Sequence, residues 1–232
     1  MTERQDFLES IVATTADYCA GNLAAPIPEH VERWVNQFNG DMQLPILREM
    51  DHVLKRTYFS LEKVTYFLKS VLRSEKLVGL DPGTFWKSIR FLDIQGGGNS
   101  QREMLAILGQ LLRKTCEVDI NQCGKTPEAF VYLDDAIFTG NRVLRDLQAW
   151  IQSDAAPAKS KIHVISIALH SGGQYYANNR IQSTAKTAGK SVEVTWWRII
   201  ELEDRLHHTN SSDVLLCCFS WKWRIRLLEL VG

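Results

Sequence analysis

Two adjacent carboxylates, Asp134 and Asp135, follow the apolar run Phe130–Leu133 and precede Thr139-Gly140-Asn141-Arg142 in the segment FVYLDDAIFTGNR. The apolar run predicts a buried strand with the acids at its end, and strand alternation sends their side chains to opposite sides. One acid can then face a ligand while the other faces supporting structure. The Thr-Gly turn leads into a predicted helix over Asn141–Ile151, with Val143, Leu144, Leu147 and Trp150 on its apolar side. The first free N–H groups of such a helix favour a phosphate, Gly140 allows close backbone approach, and Thr139 offers a hydroxyl. Carboxylates beside an anion cradle suit a ribose, whose vicinal hydroxyls donate hydrogen bonds to acidic oxygens. The same pair can help to hold a hydrated magnesium ion. The plain alternative is a helix cap plus a solvated carboxylate, which is common at strand–helix turns.

Two further segments are chemically unusual: Asp93-Ile94-Gln95-Gly96-Gly97-Gly98 and His170-Ser171-Gly172-Gly173. Each follows an apolar run, Ile89–Ile94 and Ile162–Leu169 respectively, that reads as a strand. Helical patterns over Arg102–Lys114 and Ala177–Ala188 follow, and Val192–Ile200 is a last strand. Cys116–Ile120 predicts a short additional strand, with a polar loop over Asn121–Pro127. Strands alternating with helices imply a parallel sheet covered on both faces, with ligands bound at the carboxyl ends of its strands. All three unusual segments should then emerge on one edge.

Upstream the pattern is helical. Apolar stripes run through Phe7, Leu8, Ile11 and Val12, then Val31, Trp34, Val35 and Phe38 behind Pro28. Pro45 opens a stretch with Leu47, Met50, Val53 and Leu54, and Ser60 is an N-cap for Leu61–Leu72. Asp81-Pro82-Gly83 punctuates the change of pattern. The expected organisation is a helical region over 1–80, an α/β core over 81–205, and a tail or cap over 206–232.

Lys+Arg and Asp+Glu both total 27, so no global basic field points to nucleic acid. No apolar run is long enough to span a bilayer, and Met1–Asp6 does not resemble a signal peptide. A cytoplasmic location is the expectation. Five cysteines, with Cys217 and Cys218 adjacent and no CxxC pair, suggest reduced thiols and no disulfide framework. His207, His208, Cys217 and Cys218 lack zinc-site spacing. Gly124-Lys125-Thr126 ends like a phosphate-binding P-loop, but Asp119 stands at its first glycine and Pro127 follows at once. Gly96-Gly97-Gly98 is not a dinucleotide fingerprint, because Gln101 replaces the third glycine. His170 reads as a hydrogen-bonded strand-end histidine or as a group acting on a nucleobase. Trp196 and Trp197 alternate, one to the core and one free to stack on a base. Trp221, Trp223, Arg224 and Arg226 form a cationic aromatic strip suited to an edge element or a partner contact.

The order apolar strand, two acids, three residues, Thr-Gly resembles the phosphoribosyl pyrophosphate motif of type I phosphoribosyltransferases. The resemblance implies ribose contacts for Asp134 and Asp135 as the catalytic acids, and 5′-phosphate contacts for Thr139, Gly140, Asn141 and Arg142. It assigns pyrophosphate to the loop one unit upstream, Gly96, Gly97, Gly98, Asn99 and Ser100, with magnesium held through ligand and water. The sequence departs from that motif at Phe138, Ala136 and Arg142, where a small residue, a larger aliphatic one and Thr or Ser are usual. Type I enzymes also carry a long closing loop, for which only Glu117–Glu128 is available here. With WVNQF at Trp34–Phe38 and FLD…GGGNSQREML, the chain is similar, from about Val31 to Val214, to a phosphoribosyltransferase-like family of bacterial conflict and antiviral systems. That family implies a helical N-terminal region, an α/β core, a phosphoribosyl pyrophosphate or nucleotide ligand, and a protein partner or homo-oligomer. It is compatible with ribosyl transfer, with a sensor that binds without turnover, or with an interaction subunit.

Overall fold

A computed structural model describes residues 2–18, 24–97 and 99–203, and the backbone of 226–227. The chain divides into two compact units, Met1–Tyr66 and Phe67–Gly232.

The first unit is helical: α1 (Glu3–Thr14), α2 (Pro28–Val35), α3 (Gly40–Thr57) and the start of α4 (Leu61–Arg73). Leu8, Ile11, Val35 and Leu47 form its buried centre, with Phe7, Val31, Met50 and Leu54 packed around them. The expected apolar stripes thus serve helix–helix packing. Ser60 caps as predicted, its Oγ accepting from Lys63 N at 3.3 Å. Pro45 does not open its helix. α3 begins earlier, at Gly40, and Pro45 lies inside it. So near the helix start, the missing N–H removes only the bond back to the Asp41 carbonyl.

In the second unit α5 (Glu75–Val78) and α6 (Pro82–Ser88) lead into β1 (Ile89–Phe91). There follow α7 (Ser100–Cys116), β2 (Ala129–Ile137), α8 (Asn141–Gln152), β3 (Lys159–His170), α9 (Ser171–Thr187) and β4 (Ser191–Leu202). The four strands β1 to β4 are parallel and lie in sequence order, and a two-residue β5 (Arg226–Leu227) runs antiparallel on β4. This is the expected α/β architecture, a parallel sheet preceded by an all-helical region. One sheet face, with Phe130, Tyr132, Ile162, Val164 and Val192, packs on Val143, Leu147 and Trp150 of α8 and Ala177 and Ile181 of α9. Alternate residues Val131, Leu133, Ile165 and Ile167 point the other way and are also buried, so both faces are covered. On that second face Trp86 of α6 stacks on Phe91, and its Nε1 donates to the Leu72 carbonyl at 3.1 Å.

Several expected boundaries move, and the strand expected over Ile89–Ile94 stops at Phe91. Cys116–Ile120 is not a strand. α7 runs to Cys116, Glu117 turns left-handed at φ 55°, and the Glu117 and Val118 N–H groups both reach the Leu112 carbonyl. Val118 is buried because it seals this helix cap, which accounts for the apolar signal there. β2 does not stop at Leu133; it continues through both acids to Ile137, pairing Asp134 with Ser166 and Ala136 with Ala168. α9 begins at Ser171, well before the apolar pattern at Ala177, because the His170 ring Nδ1 accepts from Gly173 N at 3.4 Å and caps it. The 206–232 tail with its histidines, cysteines and aromatic strip lies outside the described residues, the β5 backbone apart, as does Cys19.

Candidate functional site

Because β1, β2 and β3 are parallel, their carboxyl ends share one edge, and the three unusual segments meet there as expected. An open cavity of ≈ 410 Å³ is lined by the run from Asp134 to Val143, with Arg145. The predicted acids and the predicted phosphate turn, Thr139, Gly140, Asn141 and Arg142, therefore share one concavity. The two carboxylates differ sharply. Asp134 is 1% exposed, whereas Asp135 is open to solvent. Asp134 Oδ1 accepts from the Asp135 backbone N at 3.0 Å, and Asp135 Oδ1 from Ala136 N at 2.9 Å. Burial and the neighbouring Asp135 carboxylate push the Asp134 carboxyl up to about 7, while Arg142 acts in the opposite direction.

The turn after β2 is built on two glycines. Gly140 sits at φ +74°, and a Cβ there would lie 2.3 Å from the Gly173 carbonyl oxygen. A Cβ on Gly173 would lie 1.9 Å from the Phe138 carbonyl oxygen. The Thr-Gly turn is thus pressed against the first turn of α9, and no side chain fits between them. Thr139 Oγ1 accepts from Asn141 N at 3.3 Å, so the hydroxyl is already part of the turn. Gly140 caps α8 without a side-chain hydrogen bond, so apart from that bond to Asn141 no side-chain cap occupies the first amides of α8.

The glycine loop is held to β2 by two glutamines that the motif reading did not use. Gln101 is fully buried; its Oε1 accepts from Ile94 N at 3.0 Å and Gln95 N at 2.9 Å, and its Nε2 donates to the Leu133 carbonyl at 3.0 Å. Gln95 accepts at Oε1 from Gln101 N at 3.3 Å and Ser100 Oγ at 3.5 Å, and its Nε2 reaches Asp134 Oδ1 at 3.4 Å. This explains why β1 ends at Phe91. Leu92 N still donates to the Val131 carbonyl at 2.8 Å, and beyond it the Gln101 side chain takes the place of the ladder at Ile94 and Gln95. Gln101, noted in the sequence only as a missing glycine, could have been found by its spacing from the loop it braces. A Cβ on Gly96 would lie 4.0 Å from Asp146 of α8, whose Oδ2 accepts from the Tyr132 hydroxyl at 2.7 Å. Gly97 is open, Asn99 caps α7 with no side-chain bond, and Gly98 lies outside the described residues.

The remaining candidates fall elsewhere. A second cavity of ≈ 360 Å³ adjoins the first and is lined by Phe138, Thr139, His170, Gly172 and Gly173. Phe138 is exposed between the two. Trp196 donates to Asn178 Oδ1 at 3.2 Å and Trp197 to the His163 Nδ1 at 3.2 Å, so each indole N–H has a protein partner. The segment from Glu117 to Glu128 is pinned to the sheet edge. Gly124 N donates to the Lys87 carbonyl and Glu128 N to the Ser88 carbonyl, both at 2.9 Å, while Arg90 donates to the Gly124 carbonyl at 2.6 Å. A Cβ at Gly124 would strike the Arg90 backbone at 2.7 Å. Among the described residues, no three His, Cys, Asp or Glu side chains form a metal set, and no helix is long and apolar enough to cross a membrane.

No curated protein and no solved structure matches the chain. The family model of PRTase-CE, a phosphoribosyltransferase-type family, matches residues 31–229, which takes in part of the helical region and the whole sheet. On that match, carried by a core in which paired acids and a Thr-Gly turn share one cavity, the chain belongs to the PRTase-CE family.

Proposed function

We propose that the cavity at the end of β2 binds a ribose 5-phosphate compound carrying pyrophosphate, with magnesium. One observation carries this reading: Asp134, Asp135 and the Thr139–Arg142 turn, whose one side-chain cap bond among the described residues runs from Asn141 N to Thr139 Oγ1, line the same cavity, and Gln95 ties the glycine loop to Asp134. Asp135 and Asp134 hold the ribose hydroxyls, and the first amides of α8 with Thr139 and Arg142 hold the 5′-phosphate. Gly96 to Ser100 approach the pyrophosphate. Two carboxylates are too few for a protein-only cation cage, so magnesium fits through phosphate oxygens and water, where it neutralises pyrophosphate charge. Transfer or hydrolysis at the anomeric carbon passes through positive charge on the sugar ring, which the acids stabilise once the ligand is oriented. A cytoplasmic role in a bacterial conflict or antiviral system is part of the same proposal, supported by the resemblance of the helical region and core together.

A second reading has its own support. The pinned Glu117–Glu128 segment has no length to close over the cavity, and a closing loop is what excludes water during such transfer. That favours a nucleotide-binding sensor or an interaction subunit without turnover. Thermal-shift titration with phosphoribosyl pyrophosphate and magnesium, paired with a pyrophosphate-release assay over a panel of bases, separates the cases. A rise in Tm with release supports the transferase, and a rise without release supports the sensor. No rise removes both for this ligand.

A further inference from the structure

The cavity extends past the phosphate turn. Its wall continues along α8 through Arg142 and Val143 to Arg145, with carboxylates at the β2 end and guanidinium groups at the α8 end. Arg142 and Arg145 stand three apart on one helix, so their Cβ atoms lie about 5–6 Å apart on a shared face. Both are exposed, and neither makes an ion pair within 4 Å among the described residues. The acidic side chain of α8, Asp146, is engaged by the Tyr132 hydroxyl and does not line the cavity. A 5′-monophosphate is satisfied by the Thr139–Asn141 turn and Arg142, which leaves a second guanidinium on the wall with nothing to hold. Guanidinium groups bind phosphate in forked geometry, and two in succession match a run of phosphates better than a single one.

We infer that the cavity takes a nucleotide with at least two phosphates on its 5′ side, the second held by Arg145. This rests on the ribose-phosphate reading above for the placement of the ribose and first 5′-phosphate, and it adds a nucleoside 5′-diphosphate as a second ligand class beside phosphoribosyl pyrophosphate, which carries its diphosphate on C1. Calorimetric titration with adenosine and uridine 5′-mono- and 5′-diphosphates, in the presence of magnesium, tests it on the full chain. The wild type should bind a diphosphate roughly tenfold or more tightly than its monophosphate, given a charge-assisted contact to the added group. Arg145→Gln should abolish that gain and leave monophosphate affinity unchanged. Arg33→Gln, which removes an exposed guanidinium of α2 that does not line the cavity, should keep the gain. Equal affinities in a wild type that binds the monophosphate would overturn the inference and leave the ribose-phosphate reading standing. A gain that survives Arg145→Gln, or one lost equally in Arg33→Gln, would overturn it. Absence of binding by all four nucleotides would overturn the inference, while the ribose-phosphate reading would stand or fall on titration with phosphoribosyl pyrophosphate itself.

Discussion

Asp134 and Asp135 are adjacent in sequence and opposite in environment, and the difference has a measurable consequence. A carboxyl whose folded value is raised from 3.8 to about 7 keeps its proton where the unfolded chain has released it. Its contribution to stability is therefore fully present below about 4 and lost as pH rises towards about 7. Chemical denaturation across that range should show a declining component with a slope of up to about 1.4 kcal/mol per pH unit, and Asp134→Asn should remove it. A cation or ligand that favours the ionised acid must drive the proton off, so binding near neutrality should release protons to buffer. At Gly140, substitution by Ala forces both a left-handed backbone and a clash with the Gly173 carbonyl. That variant should lose ligand response and at least about 1 kcal/mol of stability, read from the denaturation midpoint. The placement of the acids at a strand end, their alternation and the Thr-Gly turn were legible in the sequence, because an apolar run bounded by charge and glycine constrains the local backbone directly. Gly173 was not, since its role is to leave room for a carbonyl contributed by a distant turn.

At the scale of elements, the glycine loop depends on a side chain in the helix after it. Gln101 replaces the ladder beyond β1 by accepting from two amides and donating to a β2 carbonyl. Gln101→Leu should leave those groups unpaired in the interior and cost about 1–3 kcal/mol, with a larger loss of pyrophosphate affinity than of ribose 5-phosphate affinity. Gln101→Glu, which keeps the acceptor but loses the donor to Leu133, should be intermediate in affinity. Trp86→Ala, which removes a fully buried indole and its bond to Leu72, should cost about 3–5 kcal/mol without changing the site directly. Strand–helix alternation was readable from periodicity, and so was the order of elements. The Cys116–Ile120 expectation failed because one buried residue sealing a helix cap looks, in a short window, like a strand. The early start of α9 was hidden for a related reason: Ser171-Gly172-Gly173 has poor helix propensity, and the His170 ring supplies the cap that offsets it.

For the whole molecule, the question is whether a phosphoribosyltransferase-type core with a pinned, short Glu117–Glu128 segment still recognises the ligand of its family resemblance. The family match and the sheet answer for the architecture, while the cavity at the end of β2 carries the proposal for the ligand. Fold class and the helical region were accessible from composition and period, since net neutrality, apolar stripes and Gly-rich turns constrain them directly. Ligand class was accessible only through motif order, because no residue type by itself distinguishes a ribose phosphate from a capped helix. The most direct test is calorimetric titration of phosphoribosyl pyrophosphate with magnesium into the wild type and into Asp134→Asn/Asp135→Asn. Saturable binding in the wild type, weakened about tenfold or more in a double variant that remains folded, is the predicted result. No binding in the wild type, or equal binding in the folded double variant, would contradict the ribose-phosphate assignment.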